Sequence, residues 1–460
     1  MKKHLLSLLV ALVTTVSSLP MAAQEAYAVF TEANSTLTFY YDNLRSTRSG
    51  TTYDVPTKGK IPGWAGTNTA TQKIKHAVFD GSFADYRPMF TYSWFQRCAK
   101  LQDIKDIRNL NTENVISMKY MFMGCSSLIS IDLTGFNTAN VTDMSGMFNG
   151  CSSLASLNLT NFNTEKVTDM YKMFYTCSSL VSLNLTNFNT EKVTDMGSMF
   201  DNCSSLASFN LTNFNTANVT DMSRMFNNCS SLTSLNSTNL NTGKVTYMAC
   251  MFQKCKSLAS LDLTNFNTAN VTDMSGMFND CSSLVSLNLT NFYTAKVTDM
   301  SRMFCNCSSL KSLNLTNFNT ANVKRIISMF HNCSSLTSLN LTNFNTAKVF
   351  RMSDMFNNCS SLTTIYCNDD WSGGKVKYHE HMFSNCLNLK GEGAAYDSSK
   401  TGIEMANPTT GYFTAKTNGI DHVKAAGKVG DGKTYDLSGR QVSKNYKGVV
   451  VTNGRKILQR

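Results

Sequence analysis

From residue 98 to residue 386 the apolar positions of the chain recur with one spacing. Cys125, Cys151, Cys177, Cys203, Cys229, Cys255, Cys281, Cys307, Cys333 and Cys359 follow one another every 26 residues, and Cys98 and Cys386 extend the series with a spacing of 27 at each end. A fixed period of this length predicts one structural coil per repeat, stacked into a solenoid. In the unit from Leu154 to Cys177, Leu157 and Leu159 alternate with Ser156, Asn158 and Thr160. That is the period of a half-buried strand, with leucines inward and polar groups outward. Phe162 folds back inward, and Asn163-Thr164 carries turn chemistry. Val167 and Met170 are expected on the buried return side. Met173, Phe174 and Cys177 continue inward at helical spacing, which predicts a single helical turn capped by Asp169. One coil cannot bury this apolar set alone, whereas stacked coils bury it as columns. The columns account for 25 Met and 28 Phe without a cofactor.

Leu-x-x-Leu-x-Leu followed by a return segment is the leucine-rich-repeat pattern. Val-Thr-Asp-Met-x-x-Met-Phe-x-x-Cys-Ser-Ser-Leu, as at Val167 to Leu180, resembles the BspA-like surface proteins of Bacteroidetes and other host-associated microbes. Phe79-Asp-Gly-Ser-Phe83-Ala-Asp-Tyr-Arg87-Pro88 leading to Trp94-Phe95 is similar to the N-terminal cap of that family. Tyr396-Asp-Ser-Ser and Asn407-Pro-Thr-Thr-Gly-Tyr412-Phe413 are similar to the segments that follow its arrays. The resemblance implies a repeat solenoid, α/β to mainly β: a leucine-rich-repeat array of 26-residue coils with a β-rich N-terminal cap and a C-terminal β-module. It also implies adhesion to host extracellular matrix proteins such as fibronectin and fibrinogen, or contact between cells. No motif of the family marks individual ligand residues.

The flanks complete the expected organisation. Lys2 and Lys3, the short apolar run from Leu5 to Val16 and the small residues ending at Ala23 predict a signal peptide over 1–24. No segment is long and apolar enough to predict a membrane span. Residues 25–97 read as the β-rich cap, with a hairpin formed by Tyr27-Ala-Val-Phe30 and Leu37-Thr-Phe-Tyr-Tyr41. The solenoid occupies 98–386 and a closing segment 387–416. Over 417–460, Gly427, Gly430 and Gly432 make a linker, and Asn453-Gly454 between apolar runs signals a hairpin. This tail is similar to the short C-terminal modules of exported Bacteroidetes proteins, including those read by type IX secretion. It is either a sorting or anchoring module or a structural end piece.

Composition narrows the chemistry. Charged residues are only 16% of the chain, so Ser, Thr and Asn must supply much of the polar surface. A net charge of +11 favours acidic partners or anionic surfaces. The chain has no RNA-binding signature and no basic stripe interleaved with aromatics, which argues against nucleic acid. Fifteen Cys in an exported protein raise the question of disulfides. Equivalent side chains in a stack run parallel, and each sulfur bridges only once. The column is therefore expected as buried free thiols. Cys250, Cys305 and Cys367 lie outside it and are expected exposed or paired.

Asp143, Asp169, Asp195, Asp221, Asp273 and Asp299 also recur in register. Stacked carboxylates can hold Ca²⁺, but one cap per coil is the simpler role, and Tyr247, Arg325 and Arg351 interrupt the row. No metal or other cofactor is expected. His379-Glu380-His381 lacks the i, i+4 histidines of a zinc-protease helix, and no other catalytic motif is present, so no enzyme is expected.

Two surfaces remain as candidates for a protein or glycan ligand. One is the polar strand face, with Ser156, Asn158 and Thr160 repeated as Ser182, Asn184 and Thr186 and as Ser286, Asn288 and Thr290. The other is a basic departure from the consensus in the last coils, at Lys311, Lys324, Arg325, Lys348 and Arg351. The expected protein is exported, at the cell surface or secreted. It is an adhesin-like binding scaffold or else a secreted structural or glycan-binding protein without a host-protein ligand.

Overall fold

The computed structural model describes residues 23–67, 70–237, 239–373, 376–416, 434–436, 440–443, 446–452 and 455–459. The signal-peptide core, the glycine linker and the Asn453-Gly454 turn lie outside the described residues.

The chain opens on a five-stranded sheet made of β1 (Glu25–Thr31), β2 (Thr36–Asp42), β3 (Thr51–Asp54), β4 (His76–Phe79) and β5 (Asp103–Lys105), in the order β3-β1-β2-β4-β5. β1 and β2 form the predicted antiparallel hairpin, with Ala28 opposite Phe39. β4 and β5 then add in parallel, so the sheet continues past residue 97 into the first coil. Its inner face carries Phe39, Phe79, Phe83, Trp64 and Trp94, all fully buried. Trp64 Nε1 donates to the Trp94 carbonyl at 2.5 Å, which satisfies the one polar group of that ring. This aromatic cluster ends on Phe95, the first ring of the solenoid.

The solenoid is held by columns. Rings from Phe95 through Phe122, Phe148, Phe174 and on to Phe383 stack with centroids 5.4–5.9 Å apart and planes within 12°. Met170, Met173, Val167, Leu154 and Phe162 and their equivalents fill the remaining interior. At the far end Tyr412 meets Phe383 edge-on at 5.2 Å, and Phe413-Thr414 adds a last parallel strand.

Two expectations about the coil change. The Leu-x-Leu stretch is paired as strand only in short pieces, with Ser156 opposite Ser182, Ser208 opposite Ser234 and Ser338 opposite Thr364. The continuous parallel ladder runs instead through the aspartate position. It passes from Phe90 to Ser117, Asp143, Asp169, Asp195, Asp221, Tyr247, Asp273, Asp299, Arg325, Arg351 and Tyr378.

The predicted helical turn is likewise absent. From Met170 to Cys177, alternate amides close four-residue turns: Met173 N to Met170 O, Tyr175 N to Lys172 O and Cys177 N to Phe174 O. The amides between them donate to the next coil: Met170 N to Asp195 O, Lys172 N to Gly197 O, Phe174 N to Met199 O and Thr176 N to Asp201 O. Every second N–H that a helix would use is thereby committed across coils, and Lys172 and Thr176 sit in left-handed geometry at φ +56° and +58°. Asp169 still caps the segment, since its Oδ1 accepts from Tyr171 N at 2.8 Å.

A buried threonine stitches the coils together. Thr164 Oγ1 donates to Asn189 O and accepts from Asn189 N, both at 2.8 Å. Thr138, Thr190 and Thr242 occupy equivalent buried positions. Thr164→Val keeps the shape and removes both bonds, so it should lower stability by about 1–3 kcal/mol. The exposed Thr168→Val should stay within about 0.5 kcal/mol. Thermal melts of the two variants check this, and equal midpoints would contradict a role for the buried hydroxyl.

Candidate binding surface

The cysteine column belongs to the core. Cys177 Sγ donates to Phe148 O of the preceding coil at 3.2 Å, and Cys151, Cys203 and Cys229 repeat the contact. Burial pushes the Cys151 and Cys255 thiols up to about 12. Such thiols stay neutral and do not act as nucleophiles.

The three outlying cysteines differ from expectation. Cys305 and Cys367 are buried free thiols. Cys305 fills a sheltered slot that also buries Asp201, Asn227 and Asn279 in other coils. Cys367 lies under the closing strand, where its amide donates to Thr414 O. Cys250 is half-buried, with Sγ 3.6 Å from Ser275 O.

The aspartate row is packed as a structural element. Burial, reinforced by the neighbouring Asp143, raises Asp169 above the ordinary carboxylate range. Burial and the neighbouring Asp221 and Asp169 do the same for Asp195. Asp143 and Asp299 have cationic neighbours, Lys119 at 3.6 Å and Arg325 at 2.7 Å. Among the described residues no group of three or more His, Cys, Asp or Glu is arranged to hold a metal.

The first predicted surface divides in two. Ser156, Ser182 and Ser286 are exposed on the leucine side. Asn158, Asn184 and Asn288 stand in the turn that follows, each accepting from the amide and hydroxyl of Thr160, Thr186 or Thr290 two residues on. All six of these Asn and Thr side chains are exposed but already bonded to one another, so the face is less open than an alternating strand would be.

The second surface is also rearranged. Lys311 lies on the leucine side, where its amide donates to Val285 O. Lys324, Arg325, Lys348 and Arg351 meet on the ladder side. Lys324 continues the threonine row, with its amide on Thr298 O, and Phe350 follows with its amide on Lys324 O. Arg351 lies 4.8 Å over the Tyr378 ring. Lys348 Nζ is held by Asn322 Oδ1 at 2.6 Å.

A further row, of which only Lys348 is among the expected site residues, runs along the same side. Asn140, Lys166, Lys192, Asn218, Lys244, Asn270, Lys296, Asn322 and Lys348 recur at 26-residue intervals, and that recurrence is the signal that marks them. Lys166, Lys244, Lys296 and Lys348 each bond the Asn one coil earlier. Between this row and the threonine row, Val167 and its equivalents point inward. Both rows therefore face outward and flank a shallow lateral groove. At the first coils it measures about 470 Å³ and is lined by Met89, Asn114, Ile116, Asn140, Thr142 and Lys166.

The fold and this surface define a mainly-β repeat solenoid with constant inward columns and changeable outward rows. Residues 89–209, 194–310 and 284–396 each match the family described as "Mycoplasma protein of unknown function, DUF285", and the chain belongs to that family. Among solved structures it is similar to a leucine-rich cell surface protein from Faecalibacterium prausnitzii, at 14% identity and TM-score 0.37, covering 88% of this chain and 97% of that one. It is also similar to a leucine-rich-repeat protein from Eubacterium ventriosum, at 16% identity and TM-score 0.26, covering 80% and 97%. A TLR13–ssRNA13 complex matches at 12% identity and TM-score 0.16, covering 76% and 68%. No curated protein matches the chain.

Proposed function

We propose that the protein is an exported, non-enzymatic binding scaffold displayed at the cell surface, where it engages host extracellular matrix or other cells. One observation carries this reading. Across the array the inward residues are nearly constant, whereas outward slots exchange Asp for Tyr or Arg and Thr for Lys or Phe without breaking the ladder. A frame that keeps its core and varies its surface is organised for recognition. Among the described residues no helix is long and apolar enough to cross a membrane; the proposed device for display is the segment from 417 onward.

Protease shaving of intact cells tests display, and binding of the purified chain to immobilised fibronectin and fibrinogen tests the ligand class. Release of array peptides together with saturable binding to either protein is the expected result. An array untouched by protease on intact cells would overturn the reading.

A further inference from the structure

We infer that the C-terminal stretch of these outward rows binds a linear sulfated polysaccharide; this names a ligand class for the scaffold proposed above and rests on that reading. Up to the coil of Asp299, the ladder slot beside the lysine row is filled mostly by aspartate, at Asp143, Asp169, Asp195, Asp221, Asp273 and Asp299. Beyond it the ladder turns basic. Lys324, Lys348, Arg351 and Lys377 are all exposed there, and Lys296 is exposed in the coil of Asp299 itself. Backbone bonds from Phe350 N to Lys324 O and from Lys377 N to Phe350 O keep the threonine-slot residues in one row. The facing carboxylates are few. Asp299 is taken by Arg325 at 2.7 Å, and Glu380 accepts from the Ser353 hydroxyl at 2.8 Å.

The cations are also pre-positioned. Lys296 Nζ and Lys348 Nζ rest on Asn270 and Asn322. Asn322 is fixed in turn by donating to Ala295 O. Arg351 is held over the rings of Tyr378 and Phe350. Ammonium and guanidinium groups held in place lose little side-chain entropy when an anion arrives.

Geometry selects the polymer. Successive coils are spaced like paired strands, so Lys296 and Lys348, two coils apart, repeat at about 10 Å. This is on the scale of one disaccharide step in an extended chain. Sulfate groups match the cations, sugar hydroxyls match the Asn and Thr side chains between them, and Phe350 offers an apolar ring to a sugar face. A single-stranded nucleic acid would need a stacking platform at each successive coil, and the rings in this stretch are Phe350 and Tyr378, both already faced by Arg351.

The test uses the full mature chain with a fluorescent heparin oligosaccharide as probe. Lys324→Thr, Lys348→Asn and Arg351→Asp are combined in one variant. Each new residue already occupies the same slot one coil earlier, at Thr298, Asn322 or, two coils earlier, at Asp299, so the fold tolerates them. Lys311→Ala removes a cation from the other face. The wild type should bind with steep salt dependence, and the triple variant should bind about tenfold more weakly. Lys311→Ala should match the wild type. Equal binding by the triple variant, or an equal loss from Lys311→Ala, would overturn the assignment. Polyglutamate or duplex DNA competing as well as unlabelled heparin would also overturn it, because the basic rows would then read charge alone. Positive shaving and matrix-protein binding with no heparin binding would sink this inference and leave the scaffold reading standing. Negative shaving would sink the scaffold reading whatever heparin does.

Discussion

Phe174→Ala should divide the thermal unfolding of the array into two transitions. Phe174 is fully buried between Phe148 and Phe200, at centroid distances of 5.8 and 5.6 Å. Removing the ring leaves a cavity that neighbouring coils cannot collapse into, because each is pinned by its own ladder bonds. The local cost is on the order of 3–5 kcal/mol. In a one-dimensional stack each coil contacts only its neighbours, so a weak layer uncouples the blocks on either side. Calorimetry on the variant should resolve a block including the N-terminal cap and a block including the closing strand. Tyr293→Ala, at an exposed outward position, should leave a single transition. An unchanged single transition in Phe174→Ala would contradict the columnar account of stability.

Raising the pH past 9 should collapse the same array over a narrow range. The column thiols are neutral in the folded state because burial raises them: Cys151, Cys255 and Cys386 to about 12, and Cys125, Cys177 and Cys229 well above the ordinary thiol value. In the unfolded chain a thiol ionises near 8.5–9, so above that range the unfolded state holds fewer protons and stability falls by about 1.4 kcal/mol per pH unit per thiol. Below pH 8 both states keep the proton, and this contribution is fully present. Twelve column cysteines opening together give a slope of roughly 16 kcal/mol per pH unit, so the midpoint should fall within about one unit of pH 9. Far-UV circular dichroism followed against pH measures it. A variant with Cys177, Cys203, Cys229 and Cys255 replaced by alanine should unfold with a shallower slope. If the slope matched that of the wild type, the thiols would not be the titrating groups.

The inward-facing residues are legible in the amino-acid sequence. Its period places Cys177, Phe174, Met173, Met170, Val167, Phe162, Leu159 and Leu157 inside, and all are buried. Burial repeats whenever composition repeats, so a 26-residue period determines the columns and the stacking. The hairpin of the cap and the local cap made by Asp169 are legible too, because turn and capping chemistry act within a few residues. For the proposed binding surface it picks out Lys324, Arg325 and Arg351 as departures from the consensus, whereas Lys348 turns out to continue a regular Asn and Lys row.

Where the hydrogen bonds go is settled by the packing of one coil on the next. An i, i+3, i+4 apolar spacing fits a helical turn and a series of four-residue turns equally well. The second wins here because alternate amides find carbonyls on the next coil, a partner 25 residues or more away that no local pattern reveals. The same reason moved the continuous ladder from the leucines to the aspartates, buried Cys305 and Cys367, and separated Lys311 from the other cations. It also brought the Asn and Lys row beside the threonines. Which faces meet depends on how one coil sits on another, and that register is set by contacts between residues far apart in the chain.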